Sequence, residues 1–286
     1  AGDQALYHAV RNQTDHHDTT HKRSSWIGIR YDKSTEHSTT RISPPVVTNL
    51  YAQNGNLTSY SGGDQLFQGT VANYYSPDIQ AGVGERAHLL SPSVDLHTHI
   101  QDVVGLIEAE ELQRVVLVGH SYAGMVVTGV ADRLQREHPG TLAHLVYLDA
   151  SVPRPGESWS SPHPEATRQG RIEAAQPSGG LSFPPPDAQV FGLEGADREW
   201  VNRRQTPQPF SVYQQVLDFD AARVAAVPRS FIDCTSPALA TIAPSRQRVR
   251  SEPGWQVMEL ATGHDPMVSE PQALADLLLG IHGQLA

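Results

Sequence analysis

Ser121 sits in Gly119-His120-Ser121-Tyr122-Ala123-Gly124, directly after the aliphatic run Val115-Val116-Leu117-Val118. Four aliphatic residues in a row suit a strand buried on both faces, and a helix-compatible stretch follows. A serine between the two has the layout of a nucleophile elbow, a tight strand-to-helix turn that holds a hydroxyl up at the end of a sheet. The turn is strained, so the positions two before and two after the serine must be small. Gly119 and Ala123 meet that need. Ala123 adds a methyl where glycine is usual, and Gly124 is expected to relieve the crowding. The competing reading is a chance serine in a glycine-containing turn, and the strand context disfavours it.

Such a serine can attack a carbonyl carbon, but only with a base in hydrogen-bond reach. His264, in Thr262-Gly263-His264-Asp265-Pro266-Met267, is the best candidate among fourteen histidines. It follows the last apolar strand, and the proline keeps its loop from becoming helix. The base in turn needs a carboxylate to set its tautomer and stabilise the imidazolium. That acid should lie between Ser121 and His264 in the chain. Asp149, at the end of the strand after the elbow helix, ranks first, and Asp233, inside a later strand, ranks second. A turn-capping role for Asp149 stays nearly level with the catalytic one. The oxyanion needs two backbone N–H donors. Tyr122, after the nucleophile, supplies one. The second usually comes from a His-Gly loop, and no His-Gly precedes Ser121; Asn54-Gly55, after a candidate strand at 46–52, is the nearest substitute. Asn-Gly is also an ordinary hairpin signal.

The elements that position these groups read as alternating strands and helices. A helix capped by Ser93 runs to Glu110, with Leu96, Ile100, Val103, Val104 and Ile107 on one stripe. Strands follow at 115–118, 142–148, 230–234 and 256–260, with helices at 125–137 and 273–279. Another strand is expected at 71–75. This order predicts an α/β fold, a mostly parallel sheet with helices on both faces. Between Asp149 and Val227 prolines punctuate short helical pieces at 166–175, 197–204 and 211–217. Trp159, Phe183, Phe191, Trp200, Phe210 and Tyr213 would be wasted in a linker, so a packed, Pro-rich helical lid over about 151–227 is expected.

Bulk properties narrow the class further. The chain has 286 residues and a net charge of −10, with no Lys/Arg cluster, which argues against a nucleic-acid partner. A single cysteine, Cys234, excludes an internal disulfide framework. No apolar run is long enough to span a membrane, and no signal peptide is visible, so a cytoplasmic location is expected. Texture changes near residue 81: Ser, Thr, Asn, Gln, Tyr and His dominate before it, and Ala, Leu, Val, Arg and Pro after. His17 and His21 have helical metal-ligand spacing beside His16, but the polar surroundings favour a solvated tail, and no metal is expected.

From about Gly82 onward the chain resembles the α/β-hydrolases. It resembles the branch that holds plant hydroxynitrile lyases, plant methyl-ester hydrolases and many small bacterial esterases. The matching pieces are Gly82-Val83-Gly84-Glu85-Arg86-Ala87-His88-Leu89, the elbow, Tyr147-Leu148-Asp149-Ala150 with Pro153 beyond, Thr206-Pro207-Gln208-Pro209 and Gly263-His264-Asp265-Pro266-Met267. The resemblance spans about seven-tenths of the chain, and the joint order of the pieces is more specific than any one of them. The resemblance implies an α/β-hydrolase core over 82–286, Ser121 as nucleophile, His264 as base, a small-molecule ester substrate, and no metal or organic cofactor. Two departures stand out. The turn where the family places its acid reads Thr235-Ser236-Pro237-Ala238, and residues 1–81 look like either diverged opening strands or a foreign segment.

The leading expectation is a serine hydrolase that cleaves a small, fairly apolar carboxylic ester through an acyl-enzyme. A hydroxynitrile lyase-like enzyme is the alternative, disfavoured because the only lysines are Lys22 and Lys33, far from the motifs. A third reading, motivated by the missing His-Gly and the displaced acid, is a catalytically impaired protein that binds a small apolar ligand.

Overall fold

Residues 80–284 are described by the computed structural model, together with five strands before them: β1 (Ser24–Trp26), β2 (Ile29–Tyr31), β3 (Val46–Leu50), β4 (Leu57–Ser61) and β5 (Val71–Asn73). Then come β6 (Val115–His120), β7 (Leu142–Leu148), β8 (Glu157–Ser158), β9 (Ser182–Phe183), β10 (Gln208–Pro209), β11 (Val216–Leu217), β12 (Arg229–Cys234) and β13 (Gln256–Leu260). One seven-stranded sheet runs in the order β13-β12-β7-β6-β5-β3-β4. Only β4 is antiparallel to its neighbour; every other pairing is parallel. The strand expected at 46–52 is β3, and the one at 71–75 is the shorter β5.

Unbroken apolar runs form these strands because both faces are covered. Val115, Leu117, Leu145, Tyr147 and Phe231 join one core layer with the helices Leu96–Ala109 and Ala123–Glu137. Val116, Val118, Val146, Leu148, Ile232 and Cys234 join the other, with Leu274, Leu278 and Ile281 of the helix Pro271–Gly283. Alternation along each strand therefore splits one run between two cores. Burying six consecutive residues of β6 is what makes its periodicity disappear.

Register sets where the strand ends lie. His120 of β6 pairs with Leu148 of β7, and Leu148 pairs with Ile232 of β12. The residues that follow His120 and Leu148 thus emerge side by side at one sheet edge.

Two expectations about helices need correction. The first helix is capped by Asp95, not Ser93: Asp95 Oδ1 accepts from Thr98 N at 2.8 Å, and Thr98 Oγ1 accepts from Asp95 N at 3.3 Å. That is a reciprocal capping box, which a carboxylate closes as well as a hydroxyl does. The helix expected at 211–217 stops at Gln214. Gln215 turns extended and accepts from Leu96 N at 2.6 Å through Oε1, and Val216–Leu217 pairs with β8 instead.

Between β7 and β12 the chain builds short helices and two antiparallel ribbons, β8 with β11 and β9 with β10. Trp159, Phe183 and Tyr213 are buried there, with ring centroids 5.2–6.1 Å apart. Trp159 also lies 4.9 Å from the Tyr122 ring, which ties this segment to the elbow. Among the described residues no helix is long and apolar enough to cross a membrane.

Candidate active site

The chain turns sharply at Ser121, whose φ is +57°. A side chain in the left-handed region is strained, so surrounding contacts must over-determine it. They do: Ser121 N donates to Leu148 O at 3.3 Å, and Ser121 O accepts from Ser151 N at 2.9 Å and Gly124 N at 3.2 Å. A Cβ on Gly119 would stand 2.8 Å from Ala123 O and from Val127 Cγ1, so the elbow needs glycine there. Gly124 has a different task from the one expected of it. A Cβ at Gly124 would lie 1.8 Å from Ser151 O, so its bareness admits the strand-end loop rather than the Ala123 methyl.

Asp149 leaves the end of β7 with φ +39°, a conformation that aspartate tolerates better than most side chains. Its amide donates to Ile232 O at 2.7 Å, and its side chain is fully buried. His264 Nδ1 lies 2.7 Å from Asp149 Oδ2, and Arg246 Nη2 lies 2.7 Å from Asp149 Oδ1. A carboxylate only accepts, so His264 Nδ1 donates to it, which leaves Nε2 as the ring's other nitrogen. That Nε2 is buried and has no hydrogen-bond partner.

The base is anchored along its backbone. His264 N donates to Phe191 O at 2.9 Å, and His264 O accepts from His120 Nε2 at 2.7 Å. Its ring lies 4.4 Å from that of His120 and 5.3 Å from that of Phe191. A Cβ on Gly263 would approach Phe191 O to 2.2 Å, so the glycine before the histidine permits this docking. Burial, then the neighbouring His264, pushes His120 well below the usual imidazole range. Burial also raises the Asp265 carboxyl well above the carboxylate range. His120, His264 and Asp265 each bring a ligand atom within 4.8 Å of the others. His120 Nε2 and His264 Nδ1 are already committed to hydrogen bonds.

Asp233, the second-ranked acid, faces elsewhere. Arg246 Nε donates to its Oδ1, and Arg250 Nη2 lies 2.6 Å from its Oδ2. Neither oxygen is bonded to His264. Tyr122 stands at the start of the Ala123–Glu137 helix. Its hydroxyl is 3.1 Å from His99 Nδ1, and His99 Nε2 is 3.0 Å from Ala81 O. Burial lowers His99 from 6.5 to about 4, so the ring is neutral. His99 Nε2–H donates to the carbonyl, and Nδ1 accepts from the Tyr122 hydroxyl. Asn54, Gly55 and the histidines at 16, 17 and 21 lie outside the described residues.

A family model for the α/β-hydrolase family matches residues 58–277. The chain belongs to that family. A carbendazim hydrolyzing esterase from Nocardioides sp. (strain SG-4G) is 42% identical to this α/β-hydrolase over 214 residues, which is 70% of this chain and 84% of that one. A pyrethroid hydrolase of Sphingobium wenxiniae is 25% identical over 218 residues, covering 71% and 75%. Among solved structures, an extracellular α/β-hydrolase from a Paenibacillus species superposes with a TM-score of 0.61 at 20% identity, covering 72% of this chain and 86% of that one. The last likeness concerns the fold.

Sequence reasoning passed over Arg246, which bonds both candidate acids of this α/β-hydrolase at once. One signal was available. An aspartate inside an apolar strand needs a buried cation, and Arg246 and Arg250 stand one helical turn apart in the next helix.

Proposed function

We propose that the chain is a serine esterase for small, fairly apolar carboxylic esters. The observation that carries this reading is the 2.7 Å contact between Asp149 Oδ2 and His264 Nδ1; Asp149 and the strained Ser121 follow the ends of neighbouring strands. It gives His264 the tautomer a general base requires. Ser121 Oγ attacks the ester carbonyl while His264 Nε2 takes its proton. Asp149 stabilises the imidazolium. Tyr122 N–H, at a helix start, donates to the oxyanion. His264 then protonates the departing alcohol, and water releases the acyl group by the same steps in reverse roles. Asp149 is the acid on this reading, and Asp233 is not.

Residues 151–227 act as the lid of an 82–286 core. Two aromatic contacts support this: Phe191 lies against the His264 ring and Trp159 against Tyr122. The substrates named for the relatives, carbendazim and pyrethroids, are consistent with an aromatic-walled site, and carbendazim is the first substrate to assay.

The test is incubation of folded protein with a fluorophosphonate, followed by peptide mass spectrometry. Adduct on Ser121, together with hydrolysis of p-nitrophenyl acetate and carbendazim that Ser121→Ala lacks, is the expected result. Label on another residue, or none, sinks the proposal.

A further inference from the structure

Arg246 is the most heavily engaged side chain around the site. It lies on the helix Ala243–Ser251, just after the turn where the family's acid is usual and where Thr235-Ser236-Pro237-Ala238 stands here. Its Nη2 donates to Asp149 Oδ1 at 2.7 Å and to Cys234 O at 3.2 Å. Its Nη1 donates to Leu239 O at 2.6 Å, and its Nε donates to Asp233. The side chain is 12% exposed, against 0% for Asp149 and 3% for Asp233.

These contacts divide the labour of the Asp149 carboxylate. One oxygen faces the guanidinium, and the other faces His264 Nδ1. A carboxylate on a left-handed residue at a strand end has a free χ2 torsion, and nothing in its own backbone aims it. A planar fork bonded to four acceptors fixes that torsion, as an ammonium on a flexible stem would not. Asp233 gives the buried guanidinium a second carboxylate partner beside Asp149. Arg250 Nη2 reaches both Asp233 Oδ2 at 2.6 Å and Glu259 Oε1 at 2.8 Å, which extends the alternating charges to the surface. The helix is docked on its other side too, since Ser245 Oγ accepts from Val152 N at 3.0 Å.

We infer that Arg246 is a positioning residue for the hydrolysis, aiming Asp149 at His264, with Asp233 as its second carboxylate partner. The inference rests on the esterase reading for its kinetic consequence, but not for its structural one.

Two variants remove the contact. Arg246→Met takes the shared cation away from two buried carboxylates and risks misfolding. Arg246→Met/Asp233→Leu removes both charges at similar volume and is the main probe. Arg246→Gln serves if the double variant does not fold. The first readout is the low-field proton NMR resonance of His264 Nδ1–H in the intact protein, identified by its absence in His264→Ala. The second is the split between kcat and KM on p-nitrophenyl acetate.

A folded variant is expected to lose or broaden that resonance. Its kcat should fall about 10- to 100-fold with KM within about twofold, less than the ~10⁴-fold loss typical of a wrong tautomer. Arg246→Lys should recover part of kcat, because an ammonium replaces the charge but not the fork. A folded variant that keeps both the native resonance and the native kcat overturns the inference. If the native protein neither turns over ester nor takes label at Ser121, the esterase reading fails. The resonance then still decides whether Arg246 orients Asp149.

Discussion

At the scale of single residues, two aspartates offered themselves as the acid, and their partners separate them. Asp149 divides its oxygens between His264 and Arg246, whereas Asp233 gives both of its own to arginines. If the proposed roles are right, Asp149→Asn disturbs the histidine tautomer directly. Its kcat should drop by about 10⁴ with KM little changed. Asp233→Asn reaches the histidine only through Arg246, so its loss should be at least tenfold smaller. Steady-state kinetics on both variants, with circular dichroism to check folding, tests the ranking. A larger loss in Asp233→Asn would reverse the assignment. Both aspartates are legible in the sequence as acids near strand ends. Their difference is not, because it depends on which side chain crosses the sheet edge to meet each one.

At the scale of elements, the elbow is held by close approaches rather than by propensity. Gly124 lies against Ser151 so tightly that no side chain fits, and Ser151 N bonds back to Ser121 O. Gly124→Ala should therefore push the strand-end loop away from the elbow helix. A destabilisation of about 2 kcal/mol or more is expected, as for other overpacked sites, along with reduced labelling at Ser121. Thermal unfolding and phosphonate labelling rates measure the two effects. An alanine variant with native stability and native labelling would show that the loop yields cheaply. The small residues around Ser121 announce such a turn in the sequence. Which gap Gly124 serves is decided by Ser151, in a loop far along the chain from the elbow.

At the scale of the molecule, several histidines are folded away as neutral groups. Burial lowers His99, His144 and His163 from 6.5 to about 4 each. The fold thus prefers the uncharged ring, while the unfolded chain takes up protons near pH 6.5. Stability from this source is complete above pH 6.5 and is lost as pH falls toward 4. For the fully buried His99, the gap between 6.5 and about 4 corresponds to about 3 kcal/mol. Urea unfolding at pH 7 and at pH 4.5 should show a clear loss of stability. His99→Gln, whose amide can serve both Ala81 O and the Tyr122 hydroxyl, should flatten the dependence. An equally steep dependence in that variant would place the titration elsewhere.

What the sequence determined by itself was local and periodic. An aliphatic run ending in small residues around Ser121 is enough to declare a strand, a turn and a helix, since the pattern reflects burial on two faces. The apolar strands at 142–148 and 256–260 are read off with the bounds they have in the structure. Tertiary structure decided how separate elements meet. Parallel register brings the ends of β6, β7 and β12 to one edge, which puts Asp149 within reach of His264 across more than a hundred residues. The same register lets one helix set Arg246 between two carboxylates. Such contacts leave no periodic trace, because each joins a single residue to a partner whose distance along the chain is arbitrary.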